Sequence, residues 1–234
     1  MRAIVSSTGR FSTSGHQKGN CRAVVGLGLL IVLLAHPATA AAQAEQEQPP
    51  AEQPSTESRG ASIAKFFGGA AIGLATHEAG HLLFDAIFNA DPGVRKVGFH
   101  GVPFFAITHD SGLPRHQEFV ISSAGFWVQH AENEWLLSKR PRFRHEHAPV
   151  AKGVFAFNVL ASIAYSGAAF AKTGPEERDT RGMAESSRTD ERVIGALILA
   201  PALLDAWRYY HPDAAWAAWA SRGVKIGLVV LVVR

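Results

Sequence analysis

The stretch ASIAKFFGGAAIGLATHEAGHLLFDAIF, residues 61–88, is apolar along most of its length, and Lys65 is its only basic residue. Its other ionisable residues lie in its second half: His77, Glu78, His81 and Asp85. At about 1.5 Å per residue, a helix of this length would cross the roughly 30 Å hydrocarbon core of a bilayer. The stretch therefore predicts a long apolar helix that opens a helical membrane domain.

The rest of the chain after residue 88 continues this pattern. The segment KVGFHGVPFFAIT is aromatic and β-branched, is broken by Gly and Pro, and predicts a short strand or hairpin. Apolar helices are expected at 116–137, 150–171 and 193–209, with a partial or tilted helix at 223–234. Between them we expect a basic loop at 138–147 and a charged loop of mixed sign at 172–192. The predicted fold class is an all-α membrane protein: residues 61–234 form a bundle of four to five apolar helices with a short β segment after the first core helix.

Residues 1–42 are typical of a secretory signal peptide. A basic start is followed by the short apolar run AVVGLGLLIVLLA and by small residues, with cleavage expected after Ala40 or Ala42. An uncleaved signal anchor is the alternative. Residues 43–60 lack apolar side chains almost entirely, are rich in Pro, Glu and Gln, and predict a disordered linker. Together with the apolar helices, these features predict a multi-pass protein of a bacterial-type inner membrane, with the lipid bilayer as its surroundings.

The composition narrows the classes of function. The chain is 47% hydrophobic and 18% charged, whereas soluble domains usually carry about 25% charged residues. A formal net charge of +3, without basic residues interleaved with aromatics along one face, argues against a nucleic-acid partner. With Cys21 as its single cysteine, the chain forms no intramolecular disulfide.

The pentapeptide His77-Glu78-Ala79-Gly80-His81 is an HExxH motif. On a helix, positions i and i+4 share one face, so both imidazoles can reach one zinc ion. Glu78 then lies where its carboxylate can accept a proton from a metal-bound water. Ionisable side chains inside an apolar helix are costly without such a function, so we predict a zinc site at His77 and His81.

The sequence leaves the third ligand open among several carboxylates. Asp205 is favoured because it follows eleven apolar residues, and its alternative role is an ion pair with Arg208. Asp85 lies one turn beyond His81 and is expected to hold an imidazole rather than the metal. Glu132 and Glu134 are expected on a solvated face, and His100 and His109 are expected in a surface or loop role.

With these motifs in place, the sequence resembles the site-2 protease family of intramembrane zinc metalloproteases over residues 65–210. The HEAGH motif lies in the first core helix, as in that family, and a short β region follows it. The segment SSAGFWVQ, 122–129, is similar to the family's Ala-Gly-Pro-x-x-Asn helix, with Phe126 in place of the proline and Gln129 in place of the asparagine. The segment APALLDAW, 200–207, is similar to its Leu-Asp-Gly segment, with Ala206 in place of the glycine.

The resemblance implies the activity and the roles of the residues. It places Asp205 on the third zinc ligand, Glu78 as the catalytic base, and Gln129 as a group that orients the substrate. The substrate would be a membrane protein or a membrane-associated peptide, unwound to add to the strand region at 97–107. The alternative is a catalytically inactive membrane protein of the same fold that binds a metal or a partner.

Overall fold

A computed structural model describes residues 57–99, 102–109 and 112–233 of the chain. The predicted signal peptide, most of the predicted linker and His100 lie outside these residues. The described part is mostly helical, with one two-stranded sheet. Its elements in chain order are α1 (Arg59–Phe88), β1 (Gly93–Phe99), β2 (Val102–Thr108), α2 (Arg115–Lys139), α3 (Pro149–Ala171), α4 (Asp179–Ser187), α5 (Glu191–Tyr210) and α6 (Ala215–Val233).

The helix that carries the HExxH motif is continuous over 30 residues. It begins where the Oγ of Ser58 accepts a hydrogen bond from the backbone N–H of Ala61. It ends at Asn89, which adopts the left-handed conformation with φ 53° that Asn tolerates better than most residues. The predicted first helix is therefore confirmed, and both histidines lie inside regular helix.

The predicted hairpin is also confirmed. Strands β1 and β2 pair antiparallel, from Gly93 opposite Thr108 to Phe99 opposite Val102. The hairpin leads from the end of α1 to the start of α2, so the end of β2 lies near the helix that carries the motif.

Two expectations about the second half of the chain are wrong. The segment 172–192 is not only a loop, because residues Asp179–Ser187 form the short helix α4. The C-terminal helix begins earlier than the expected residue 223, because α6 extends from Ala215 to Val233 over 19 residues. Both helices contribute residues to buried ionic clusters, as described below.

Helix α1 packs mainly against α2 and α3. Two glycines allow its backbone to approach that of α3 closely: a Cβ on Gly69 would overlap the carbonyl of Val150, and a Cβ on Gly153 would overlap the carbonyl of Phe66. The metal motif is thus carried by a helix whose flank contacts α3 backbone to backbone.

By length and composition, two helices in the described part of the chain could cross a membrane, namely α3 and α5. In their most apolar windows, 33% and 39% of the residues are buried inside the protein, and the others are half-buried or exposed. Of the four to five apolar membrane helices expected, two have the length and composition to cross a membrane, and the multi-pass arrangement stays a prediction.

Candidate metal centre

The two histidines of the motif point at one another from consecutive turns of α1. Both side chains are buried, and their Nε2 atoms lie 3.2 Å apart. The Nδ1 of His81 donates a hydrogen bond of 2.8 Å to the carbonyl oxygen of Ile121 in α2. This bond assigns the proton to Nδ1 and leaves the Nε2 lone pair of His81 available to a metal.

Helix α2 and helix α3 fix the ring of His77. The ring packs edge-on against Phe126 with centroids 5.4 Å apart, and it stacks on Tyr165 at 6.0 Å. Gly125 lies directly against the same imidazole, since a Cβ there would overlap ring atoms of His77. Gly125 matches the glycine of the Ala-Gly-Pro-x-x-Asn pattern that segment 122–129 resembles, and here it makes room for a candidate ligand.

A carboxylate from outside the motif completes the group. The Oδ2 of Asp179, the first residue of α4, lies 3.2 Å from Nε2 of His77 and 3.5 Å from Nε2 of His81. Among the described residues, these three side chains form the one group of His, Cys, Asp or Glu close enough to hold a metal ion. Ligand atoms about 2.0–2.2 Å from a tetrahedral zinc lie roughly 3.3–3.6 Å from one another, so the spacing suits zinc.

The charge state of Asp179 also suits a ligand. Burial by itself would raise the pKa of this carboxyl, but the adjacent imidazoles of His81 and His77 outweigh that effect and hold the pKa well below its usual range. The phenol of Tyr165 lies close to the same side chain and interacts with it electrostatically. Asp179 is therefore an ionised, oriented acceptor.

Glu78 follows His77 on α1 and is only partly buried. Its carboxylate lies close enough to interact electrostatically with both imidazoles and with Asp179. A metal-bound water within hydrogen-bond reach of this carboxylate could pass its proton to it.

The structure gives Asp205 a different set of partners from the one that the sequence predicts. Its Oδ1 accepts hydrogen bonds of 2.8 Å from Nζ of Lys225 and 2.7 Å from Oγ of Ser221, both in α6. The alternative partner, Arg208, lies 3.5 Å away. Because α6 supplies a buried cation, the carboxylate that ends an apolar run is neutralised by an ion pair, and Asp179 takes the place beside the histidines.

The predicted supporting residues also lie elsewhere. Asp85 is fully buried, but its charged neighbour is Nδ1 of His109 at 3.6 Å, whereas a backbone carbonyl orients His81. Gln129 is fully buried and neither atom of its amide has a hydrogen-bond partner. Glu134 is not on a solvated face, since it accepts from Arg208, Arg222 and Lys225.

His109 lies in the loop that follows β2, as expected, and it also has ionic partners there. Its Nε2 lies 2.9 Å from Oε2 of Glu118, and this hydrogen bond raises the pKa of the imidazole against the opposing effect of burial. The ring lines the same cleft as His81.

A cleft of about 230 Å³ leads to the candidate metal ligands. One wall is the end of β2, with Ile107 and Thr108, and the opposite wall is the segment that carries Asp179. An ion pair of 3.0 Å between Arg95 of β1 and Glu177 joins the two walls at the surface. The cleft therefore approaches His81 and Asp179 from the side of the hairpin.

Sequence reasoning missed Asp179 and Tyr165. Asp179 is one of several carboxylates in a polar segment, and no local pattern distinguishes it from its neighbours. Tyr165 carried a signal, because it is the only tyrosine within the apolar run 150–171. A buried hydroxyl in such a run needs a partner.

The chain was compared with known protein families, with characterised proteins and with solved structures. None of the three comparisons finds a match.

Proposed function

We propose that the protein is a zinc metallopeptidase that cleaves peptides at or within a membrane. The observation that carries the proposal is the placement of two imidazole nitrogens and one carboxylate oxygen at mutual distances of 3.2, 3.2 and 3.5 Å. The carboxylate of Glu78 interacts electrostatically with all three side chains. Three protein ligands and an open fourth position characterise catalytic rather than structural zinc sites.

The protein's own residues supply binding, orientation and proton transfer. When bound, zinc would lower the pKa of a water and polarise the carbonyl of the substrate. Glu78 accepts the proton and returns it to the leaving amine. Tyr165 and Ile121 hold Asp179 and His81 in place.

The cleft favours an extended peptide as the substrate. Ile107 and Thr108 of β2 line it, and β2 has a strand partner on one side only within the described sheet. A peptide added to the free edge would gain main-chain hydrogen bonds along the strand. This proposal keeps the substrate class that the sequence indicates.

The apolar surface supports a membrane location. Helices α3 and α5 are long and apolar enough to cross a membrane, and fewer than half of the residues in their most apolar windows are buried. Helix α1 adds a set of large side chains that are at least two-fifths exposed: Ile63, Phe67, Ile72, Leu82, Leu83 and Ile87. Continuous exposed apolar surface of this kind is uncommon on soluble monomers.

The first test measures the metal content of full-length protein purified in detergent. Wild type is expected to retain zinc, and His81→Ala and Asp179→Asn are expected to lose it. Glu176→Gln is the matched control, since this exposed carboxylate lies three residues before Asp179. Retention of zinc by Asp179→Asn would exclude the proposed ligand set.

The second test measures cleavage. Reconstituted protein is incubated with peptides from a digest of a membrane fraction, and new N termini are counted by mass spectrometry. Glu78→Gln is expected to lower the cleavage rate about 10²- to 10⁴-fold while zinc stays bound. Zinc binding with equal cleavage by wild type and Glu78→Gln would favour the alternative, a metal-binding membrane protein without peptidase activity.

A further inference from the structure

A second cavity, of about 150 Å³, lies between the end of α2, the end of α5 and the first turns of α6. Three arginines line it, namely Arg140, Arg208 and Arg222. No Asp or Glu is among its lining residues. Aromatic and small residues complete the wall, including Phe143, Tyr209 and Ser138. A cavity with several guanidinium groups and no lining carboxylate favours an anion.

The charges behind this cavity do not cancel. Arg208, Arg222 and Lys225 meet the carboxylates of Glu134 and Asp205 in one connected cluster. Three cations thus face two anions, and Arg222 is the most exposed of the three cations. An anion in the cavity would balance this excess.

Two of the arginines keep donors for a ligand. Arg222 donates from Nε to Glu134 and from Nη2 to Ser138, and Arg140 donates from Nη1 to Glu146. A guanidinium carries five N–H groups in a planar fork, so both side chains retain N–H groups beyond these bonds. Such forks match the oxygens of a phosphate group bidentately.

The side chains around the cavity favour a membrane surface as the source of such an anion. Exposed aromatic side chains surround the same end of α5: Trp207, Tyr210, Trp216 and Trp219. Trp and Tyr are enriched at the level of lipid headgroups, and α5 is one of the two helices that could cross a membrane. The neighbouring loop adds the exposed Arg142 and Arg144.

We propose that this cavity binds the phosphate group of an anionic lipid at the membrane surface. The phosphate oxygens accept from Arg140 and Arg222, while Arg208 holds the floor of the cavity through Glu134. The site is separate from the candidate metal centre and does not depend on peptidase activity.

The test uses full-length protein in uncharged detergent and measures the binding of phosphatidylglycerol, phosphatidylcholine and inorganic phosphate. We expect phosphatidylglycerol to bind in preference to phosphatidylcholine. Arg140→Gln is expected to weaken that binding roughly ten- to hundredfold, because it removes charge-assisted hydrogen bonds. Arg142→Gln makes the same charge change in the same loop but outside the cavity, and is expected to change the affinity less than about threefold.

Inorganic phosphate distinguishes the two sources of the ligand. If millimolar inorganic phosphate displaces phosphatidylglycerol from wild type, and Arg140→Gln no longer binds phosphate, the site is supported with free phosphate as its ligand. Equal weakening by Arg140→Gln and Arg142→Gln would overturn the proposal, because diffuse surface charge would then explain the binding. Failure of wild type to bind either ligand would overturn it as well.

Discussion

A missing side chain sets the position of one candidate zinc ligand. Gly125 faces the ring of His77, and the structure has no room for a Cβ there. The sequence resemblance marks this glycine, and its physical role is to let α2 approach the imidazole. Any side chain at position 125 would push His77 away from Asp179.

We therefore expect Gly125→Ala to weaken zinc binding by at least about tenfold, because metal affinity depends on the orientation of each ligand. Gly167→Ala is the matched control, since Gly167 lies in α3 with open space around its Cα, and alanine there is expected to stabilise the helix by up to about 1 kcal/mol. Both variants would be measured by zinc titration of purified protein. Equal zinc affinity in Gly125→Ala and wild type would show that the ring does not need this glycine.

At the residue scale, the sequence predicts one part of the site and not the other. The pair His77 and His81 is predictable because one helix fixes their spacing. The third carboxylate is not, because Asp179 arrives from a separate element about 100 residues away in the chain. Asp205 has the stronger sequence signal, but the signal shows only that a buried carboxylate needs a cation, and Lys225 is that cation.

At the element scale, α4 owes its position to one buried acidic residue. Arg178 forms two hydrogen bonds to Glu191, of 2.6 and 2.7 Å, and Thr180 donates to the same carboxylate. Glu191 lies in the first turn of α5, so these bonds tie the start of α4 to α5. Asp179 lies between Arg178 and Thr180 and is held by both.

Glu191→Ala is expected to weaken zinc binding about 10- to 100-fold, although Glu191 contacts neither histidine. Loss of the buried partner of Arg178 should also lower the free energy of unfolding by about 3–5 kcal/mol. Zinc titration and denaturant unfolding would measure the two effects. Glu185→Gln, which removes an exposed pair with Arg181, is the control and is expected to change neither quantity by much.

The elements that the sequence predicts well are those with long apolar runs. The bounds expected for the helices at 116–137, 150–171 and 193–209 lie close to those of α2, α3 and α5. Helix α4 escapes prediction because it has only 9 residues, most of them polar. Contacts with distant elements bury two of its residues, because Met183 and Ala184 pack in a hydrophobic cluster with Phe126 of α2 and Ile198 of α5.

At the scale of the whole molecule, Glu134 connects three helices. Its carboxylate in α2 accepts hydrogen bonds from Arg208 of α5 and from Arg222 and Lys225 of α6. Burial by itself would raise the pKa of Glu134, but these cations, Lys225 foremost, hold the pKa well below its usual range. The C-terminal helix is thus bound to the rest of the molecule through one anion.

Glu134→Gln is expected to lower the free energy of unfolding by about 3–5 kcal/mol, because it leaves three buried or partly buried cations with insufficient counter-charge. The folded-state pKa of Glu134 is depressed, so its stabilisation is present above the usual glutamate pKa and is lost as the pH falls toward the folded-state value. The difference between wild type and variant should therefore narrow in acid. Denaturant unfolding at neutral and acidic pH measures it, and a difference below about 1 kcal/mol at neutral pH would contradict the role of Glu134.

The contact of α1 with α3 at Gly69 and Gly153 restricts how these two helices move relative to one another. Because the two main chains are in direct contact at these glycines, a shift of α1 along or away from α3 would require α3 to move with it. Under the proposed function, a peptide would reach His81 from the side of the hairpin, where the exposed Arg95–Glu177 pair joins β1 to the segment before α4. The close α1–α3 contact thus holds the helix that carries the histidines, whereas the hairpin is joined to the α4 segment by a solvent-exposed ion pair.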